Sequence, residues 1–207
     1  MQKTYNVIYA DPPWKHWNKR TGGGLKSGAE QKYKVVSLTD LLYLDVNKIS
    51  DKDSVCFLWV TTPFLEGGIF LLRYWGFQYK TTITWRKESW GMGFWFRGQT
   101  EHLLFGIKGK IKPFRHQKAN FIQTKALKHS EKPEEIRKLI EDATVSLPDR
   151  RMIELFATKI ITGWDCIGYE ANGQDVFEVL GRREASRIIQ YDKKKAMFVF
   201  KEVSINA

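Results

Sequence analysis

The sequence predicts an α/β protein with a mainly parallel sheet, and three observations support this prediction. Short apolar runs rich in β-branched residues recur along the chain, as is typical of buried strands. Helical patterns with recognisable starts and ends separate several of these runs. Strands that alternate with helices favour a parallel sheet covered by helices. With 207 residues, 43% of them hydrophobic, the chain is long enough to bury one core and short enough for one domain.

In chain order, the apolar runs predict six buried strands, at residues 5–9, 55–60, 81–85, 102–107, 152–156 and 165–169. Three helices are predicted between them, at residues 38–44, 65–74 and 133–143. Ser37 is a suitable N-cap for the first helix, and Gly76 ends the second. Pro133 suits the start of the third, because a proline there loses no hydrogen bond.

The pattern weakens beyond residue 170. We predict one domain over residues 1–175 and a C-terminal extension over residues 176–207 that packs on the same domain. The extension begins with a short helical segment and continues through the basic turn 192–195 to an apolar, strand-like run at 197–200. We expect no second domain, since neither an internal repeat nor a linker is visible.

Charge and cysteine usage narrow the class of protein. Lys and Arg total 34 against 23 for Asp and Glu, a net charge of +11 that favours a polyanionic partner. No apolar run reaches the roughly 18 residues of a membrane span, and the first residues lack a signal-peptide pattern, so we expect an intracellular, cytoplasmic protein. Cys56 and Cys166 lack a metal-binding spacing and are predicted to be reduced core residues, with no metal site.

The strongest chemical signal is the DPPW motif, Asp11-Pro12-Pro13-Trp14, which directly follows the first predicted strand. Open α/β sheets bind ligands at this carboxyl edge. Two prolines remove two N–H donors and so leave a rigid turn of carbonyl acceptors. The Asp11 carboxylate and the Pro12 carbonyl suit the amino group of adenine, whose nitrogen becomes more nucleophilic when its hydrogens are accepted. Trp14 is predicted to stack on the base; a surface turn with Trp14 in the core is the alternative.

Beyond this motif the chain resembles the DPPW-type N6-adenine methyltransferases, the family grouped with the catalytic seventy-kilodalton subunit of the mRNA adenosine methyltransferase (MT-A70). In that family the catalytic motif precedes the cofactor-binding segments, a circularly permuted order on a Rossmann-like methyltransferase sheet, and this chain has the same order. The similarity covers about residues 5–170. It continues through Tyr33 with the helix that follows it and through these segments: Phe57-Leu58-Trp59-Val60, Trp75-Gly76-Phe77, Ile83-Thr84-Trp85, Glu101-His102-Leu103-Leu104-Phe105-Gly106-Ile107-Lys108-Gly109, His129-Ser130-Glu131-Lys132-Pro133 and Ile153-Glu154-Leu155-Phe156.

The resemblance implies that S-adenosyl-L-methionine is the methyl donor and that Asp11 adjoins it. It implies that Lys132 contacts the methionine carboxylate of the donor and that Glu154 hydrogen-bonds the ribose. Longer members carry a further acidic donor contact upstream of the motif, so we expect weaker donor affinity or a substitute residue here. The remaining donor contacts implied are Phe156, Thr158, Tyr169 and Glu170; Thr158 stands where the family usually has Arg, His or Asn, and Tyr169 where Asn is common.

Two loops are candidates for binding the substrate. The loop after the motif combines cations and aromatics, including Lys15 and Trp17, as phosphate contacts and base stacking require, although a solvated loop fits equally. The resemblance adds Tyr33, near the target base, and Trp95 and Arg97 in a second loop that meets a partner subunit in some relatives. Exposed aromatics in that second loop, which also contains Trp90, would indicate a binding surface and buried ones a closed core.

The resulting hypothesis is methyl transfer to N6 of an adenine that is single-stranded or flipped out of the helix, in DNA rather than RNA. A catalytically inactive nucleic-acid-binding subunit is the alternative, and a homodimer and a heterodimer both remain open. Glu101 and His102 are interpreted as strand residues rather than acid–base catalysts. A zinc deaminase is excluded because its HxE and PCxxC signatures are missing. A phosphate-binding P-loop is excluded because Ala29, not lysine, follows the spaced Gly23 and Gly28.

Overall fold

A seven-stranded sheet lies at the centre of the structure, a computed structural model that describes residues 3–14, 35–90, 95–112, 114, 118–125 and 131–182 and the backbone of 187–192 and 197–202. The strand order is β5-β3-β4-β2-β1-β6-β7, and every strand except β4 runs in the same direction. The seven strands are β1 (Tyr5–Ala10), β2 (Ser50–Thr61), β3 (Gln78–Lys87), β4 (Thr100–Lys108), β5 (Phe121–Thr124), β6 (Met152–Leu155) and β7 (Asp165–Ile167).

Helices cover both faces of this sheet. On one face Leu41, Leu71 and Leu180, from α1, α2 and α5 respectively, pack in a core with Ile8 and Leu58. On the other face α3 packs against a second core. Each core therefore forms between the sheet and a helical layer, which is the three-layer α/β arrangement. The described helices are α1 (Leu38–Tyr43), α2 (Leu65–Tyr74), α3 (Glu134–Thr144), α4 (Tyr169–Asn172) and α5 (Val176–Leu180).

The predicted fold class is confirmed, and the differences in element bounds have identifiable causes. Helix α2 has its predicted bounds, and Ser37 caps α1 in a capping box with Asp40. Strand β2 begins at Ser50 rather than residue 55, because its polar start pairs with β1 and β4 on either side. Strand β7 ends at Ile167, because Tyr169 already begins α4. The sequence does not predict strand β5, because its four residues carry little apolar signal. They form a strand because they pair with β3.

The start of the C-terminal extension belongs to the main core. Val176 and Leu180 are buried in the first core, and the Asp45 N–H donates to the Gly181 carbonyl at 3.5 Å. Beyond them, strands β8 (Arg187–Asp192) and β9 (Met197–Glu202) form an antiparallel pair. The division of the chain at residue 175 stays a prediction.

Two composition-based expectations can be compared with the described residues. Cys56 and Cys166 are buried and unbridged, as predicted, and burial raises the pKa of the Cys56 thiol well above its ordinary value. No helix in the described part of the chain is both long and apolar enough to cross a membrane.

Candidate active site

The carboxyl edge of the sheet brings together residues that are far apart in the sequence. Strands β1, β2, β3, β6 and β7 end at this edge, and β4, which runs the other way, begins there. Asp11 follows β1, Lys87 ends β3, Glu101 lies at the start of β4 and Glu154 lies near the end of β6. Parallel α/β sheets bind their ligands at such an edge, so its geometry decides what the protein can do.

The DPPW motif is a tightly held turn at this edge. The Asp11 N–H donates to the Leu155 carbonyl at 3.3 Å, and the Trp14 N–H donates to the Pro12 carbonyl at 2.9 Å. The Pro13 carbonyl accepts from the Val36 N–H at 2.8 Å. A carbonyl oxygen has two lone pairs, so the Pro12 carbonyl keeps one acceptor position beyond its bond to Trp14.

The structure favours the alternative to base stacking for Trp14, because this side chain is part of the core. Trp14 is only 7% exposed, and its ring stacks on Phe64 with 5.1 Å between ring centroids. Its indole N–H donates to the Trp59 carbonyl at 2.8 Å. A buried tryptophan usually satisfies its N–H inside the protein. Trp14 therefore anchors the motif to β2 through the Trp59 carbonyl.

Lys132 is the centre of a group of alternating charges, which we call the charged cluster: Asp11, Lys132, Glu101 and Lys87. The Lys132 ammonium donates to Asp11 Oδ2 at 2.7 Å and lies 3.5 Å from Glu101 Oε2. Lys87 donates to the other carboxylate oxygen of Glu101. Both cations also lie over indole rings, Lys132 at 5.3 Å from the Trp59 centroid and Lys87 at 4.8 Å from that of Trp85. These contacts hold each charge in one position.

The side chains of this cluster differ in the direction in which their pKa values are shifted. Burial raises the pKa of the Asp11 carboxyl, and the nearby Lys132 offsets part of that rise. Burial would also raise the pKa of Glu101, but Lys132 and Lys87 outweigh it and hold that pKa below its ordinary value. Burial would lower the pKa of Lys132, yet its two carboxylate neighbours raise it. The cluster therefore contains a firmly ionised glutamate, a firmly charged lysine and an aspartate with increased proton affinity.

A second ion pair lies next to the cluster on the same face of the sheet. Arg137 of α3 donates to Glu154 Oε2 at 2.5 Å, and the two side chains are 14% and 8% exposed. The guanidinium carbon is 5.7 Å from the centre of the Tyr9 ring. The Tyr9 hydroxyl accepts a hydrogen bond from the Trp59 indole at 2.7 Å, so Tyr9 and Trp59 together separate this pair from Lys132. Burial raises the pKa of Glu154 despite Arg137.

The residues that are predicted to contact the methyl donor, which follow β6 and β7, lie beside one another. The Ala157 N–H donates to the Ile167 carbonyl at 3.0 Å, and a Cβ added to Gly168 would lie 2.0 Å from the Ala157 carbonyl oxygen. Only glycine permits this approach, which brings the start of α4 against the end of β6. Phe156 adopts a left-handed φ of 62°, a strained conformation of the kind found at functional sites. Thr158, Tyr169 and Glu170 are exposed.

The loop between β3 and β4 exposes its described aromatic residues at the same edge. Trp95 and Phe96 are 94% and 90% exposed, and Trp90 and Arg97 are also exposed. Of the two alternatives raised by the sequence, this excludes the closed core for these residues and favours a binding surface. Lys15, Trp17 and Tyr33 lie outside the described residues.

Three residues of the site were not predicted from the sequence. The sequence pattern indicates only a strand residue at Glu101 and does not distinguish Lys87 or Arg137 from other charged residues. A signal for Glu101 does exist, since a carboxylate at the second position of the antiparallel strand β4 lies opposite Trp85, near the end of β3. His102 points to the opposite face from Glu101, where the hydroxyls of Thr62, Thr84 and Thr100 surround it at 3.3 to 3.4 Å, away from the charged cluster.

Comparison with known proteins agrees with this geometry. The sequence model of the MT-A70 family matches residues 5–170. The type II methyltransferase M.MunI of Mycoplasma sp is 37% identical over 186 residues, which cover 82% of this chain and 78% of that protein. The N(6)-adenosine-methyltransferase MT-A70-like of Arabidopsis thaliana is 29% identical over 180 residues, covering 82% and 24%. The N(6)-adenosine-methyltransferase catalytic subunit METTL3 of Homo sapiens is 28% identical over 180 residues, covering 82% and 28%.

The match thus spans about a quarter of each of the two eukaryotic relatives and most of the bacterial one. The matched range includes the DPPW motif, all four residues of the charged cluster and the β6 segment with Glu154. On these grounds the chain belongs to the MT-A70 family of methyltransferases.

Proposed function

We propose that this protein transfers the methyl group of S-adenosyl-L-methionine to N6 of adenine in a nucleic acid. The observation that carries the proposal is the Asp11 carboxylate, which directly precedes two prolines at the carboxyl edge of the sheet and is held by Lys132 at 2.7 Å. A fixed carboxylate beside a carbonyl with a spare lone pair matches the two hydrogens of an exocyclic amino group.

Asp11 and the Pro12 carbonyl would act by accepting those two hydrogens. The amino nitrogen of adenine is a poor nucleophile because its lone pair is delocalised into the ring. Acceptors on both hydrogens localise the lone pair and oppose the positive charge that develops as the new N–C bond forms and the S–C bond breaks. The electron pair of the S–C bond stays on the sulfur, which leaves as a neutral thioether, and the methylated nitrogen releases one proton to water, which restores a neutral base. The protein contributes alignment and electrostatics, with no covalent enzyme intermediate.

The residues of the edge fit the methyl donor, which when bound supplies the electrophilic methyl carbon. Lys132 has three ammonium hydrogens and two carboxylate neighbours, so a hydrogen remains for the carboxylate of the donor. Among the described residues, Thr61 Oγ1 at the end of β2 is a buried polar atom without a partner, as expected where a polar ligand belongs. Glu154 would accept from the ribose, and the adjacent Phe156, Thr158, Tyr169 and Glu170 would contact the rest of the nucleoside.

The substrate of this reaction is proposed to be DNA rather than RNA. The net charge of +11 suits a polyanion. The bacterial relative, which has a similar length, is a type II methyltransferase, a designation used for enzymes that modify DNA. Because Trp14 is buried, the stacking faces for bases would come from the exposed aromatics near Trp95, with Arg97 on the phosphates. Lys15, Trp17 and Tyr33 are proposed to complete the substrate surface around a flipped or single-stranded base.

The test is tritiated methyl transfer from S-adenosyl-L-methionine to DNA and RNA oligonucleotides, single- and double-stranded, with and without adenine. Transfer should require adenine and should fall by about 10²-fold or more in Asp11→Ala, because a preorganised group that stabilises developing charge contributes about that factor. Asp142→Ala is the matched control, since Asp142 is exposed on α3 away from the motif. Nucleic-acid binding by folded protein without any transfer would contradict the proposal and favour an inactive binding subunit.

A further inference from the structure

The buried ion pair between Arg137 and Glu154 has no evident structural purpose. Its atoms are 2.5 Å apart, and both residues lie beside Tyr9, a member of the second core. Taking two charges out of water costs about as much as their attraction returns, and apolar side chains of similar size often serve stability equally well. A buried pair at the ligand-binding edge of a sheet therefore suggests a functional reason.

The hydrogen bond of the Arg137 guanidinium goes to Glu154 and not to a wider network of side chains. One terminal nitrogen donates to Glu154, while the Nε atom is buried without a partner. The guanidinium is oriented by the ring of Tyr9, at 5.7 Å. A residue placed for packing alone would gain more as an apolar side chain, because an unpaired buried N–H costs free energy.

The position of Glu154 links this pair to the reaction site. Glu154 pairs in register with Tyr9 of β1, and Asp11 comes two residues later on the same face of the sheet. Tyr9 bonds to Trp59, and Lys132 lies over the Trp59 ring. The Glu154 carboxylate is therefore held one strand away from the carboxylate proposed to bind the target base.

We infer that Arg137 is a positioning residue for the methyl donor: it keeps the buried Glu154 carboxylate ionised and oriented so that it accepts hydrogen bonds from the donor's ribose. The inference rests on the proposed function and adds to it a residue outside the DPPW motif and the strand ends. An ionised carboxylate accepts stronger hydrogen bonds than a protonated one, so the charge state of Glu154 sets the donor affinity.

The surroundings of Glu154 explain why it needs this cation. Burial already raises its pKa, and Asp11 raises it further, whereas Arg137 and Lys159 lower it. Lys159 is also shared with Glu131 and Glu134 on the surface, at 3.7 and 3.5 Å. Loss of Arg137 would therefore leave Glu154 protonated closer to neutral pH. The titratable groups that face Glu154 from the adjoining elements are Arg137, Tyr9, Asp11, Cys166 and Lys159.

The experiment is a titration of the full chain with S-adenosyl-L-methionine at several values between about pH 6 and pH 9. Arg137→Met should bind the donor about tenfold more weakly at neutral pH, and its affinity should recover towards high pH, with the profile moved up by about one unit or more. Arg137→Lys, which keeps the charge, should keep the wild-type profile. Glu154→Gln should bind weakly without this pH dependence. Lys138→Met, an exposed neighbour on α3, is the charge-matched control and should behave as wild type.

The outcomes separate the inference from the function on which it rests. If wild type binds the donor and Arg137→Met has the same affinity and pH profile, Arg137 is only structural and the inference is overturned. If wild type does not bind the donor, the proposed function fails and the role of Arg137 fails with it. Thermal unfolding identifies a variant that does not fold; if Arg137→Met is one, Arg137→Gln, neutral but polar, replaces it with the same expected profile.

Discussion

The two edges of the sheet carry the same kinds of ion pair in very different surroundings. At the amino edge, Lys3 pairs with Asp165, and their side chains are 60% and 45% exposed. At the carboxyl edge, Lys132 pairs with Asp11, and the side chains are 16% and 22% exposed. Exposed pairs contribute little, because water screens them, whereas buried pairs carry a large desolvation cost. The molecule therefore accepts this cost at the edge where the DPPW motif lies.

The largest difference between the edges is expected in the free energy of unfolding. Lys132→Met removes the cation between Asp11 and Glu101 and should lower the free energy of unfolding by about 3 kcal/mol, since the Asp11 carboxylate loses its partner and Glu101 keeps only Lys87. Lys3→Met, the same change at the amino edge, should cost less than about 1 kcal/mol. Urea unfolding of both variants and wild type measures the difference. Equal losses would mean that burial of the pair carries no additional cost.

The edges should also differ in the sign of their pH dependence. Hydrogen bonds from Lys3 and Tyr5 lower the pKa of Asp165, so its contribution to stability is present above the unfolded pKa and is lost as pH falls through the folded one. Burial raises the pKa of Glu154, so its contribution is present below the unfolded pKa and is lost as pH rises through the raised value.

Urea unfolding at several values between about pH 3 and pH 7 checks this contrast. Relative to wild type, Asp165→Asn should be less stable at neutral pH, and the deficit should shrink towards acid. Glu154→Gln should show the opposite trend: its free energy of unfolding relative to that of wild type should increase as pH rises. Parallel curves for the two variants would contradict the assignment of opposite pKa shifts.

The smallest effect is expected at Trp14. Trp14→Phe keeps an aromatic ring against Phe64 but loses the hydrogen bond to the Trp59 carbonyl, which should cost about 1 kcal/mol in urea unfolding. The KM for the nucleic acid should stay within about twofold of wild type, because the buried ring of Trp14 is packed against Phe64. If a base did stack on Trp14, the variant would lose part of the roughly 1–3 kcal/mol of stacking free energy and KM would rise. A large rise in KM without loss of stability would restore Trp14 as a contact for the base.

Much of the fold and part of the site could be predicted because local rules govern them. The apolar run before Asp11, the Ser37 capping box and the bounds of α2 depend on residues that are neighbours in the chain. The extent of β2 and the existence of β5 could not be predicted, because polar segments become strands only when a partner strand supplies their hydrogen bonds.

The sequence by itself determined the α/β class, the position of the DPPW motif after a buried strand and the candidate partners Lys132 and Glu154. Only the tertiary structure decided that Lys132 contacts Asp11 across 121 positions and that Glu101 joins them, because strand order and the reversed direction of β4 bring those atoms to one edge. It likewise buried Trp14 and paired Arg137 with Glu154. Sequence patterns describe which face a residue occupies, whereas packing between elements determines which charges meet.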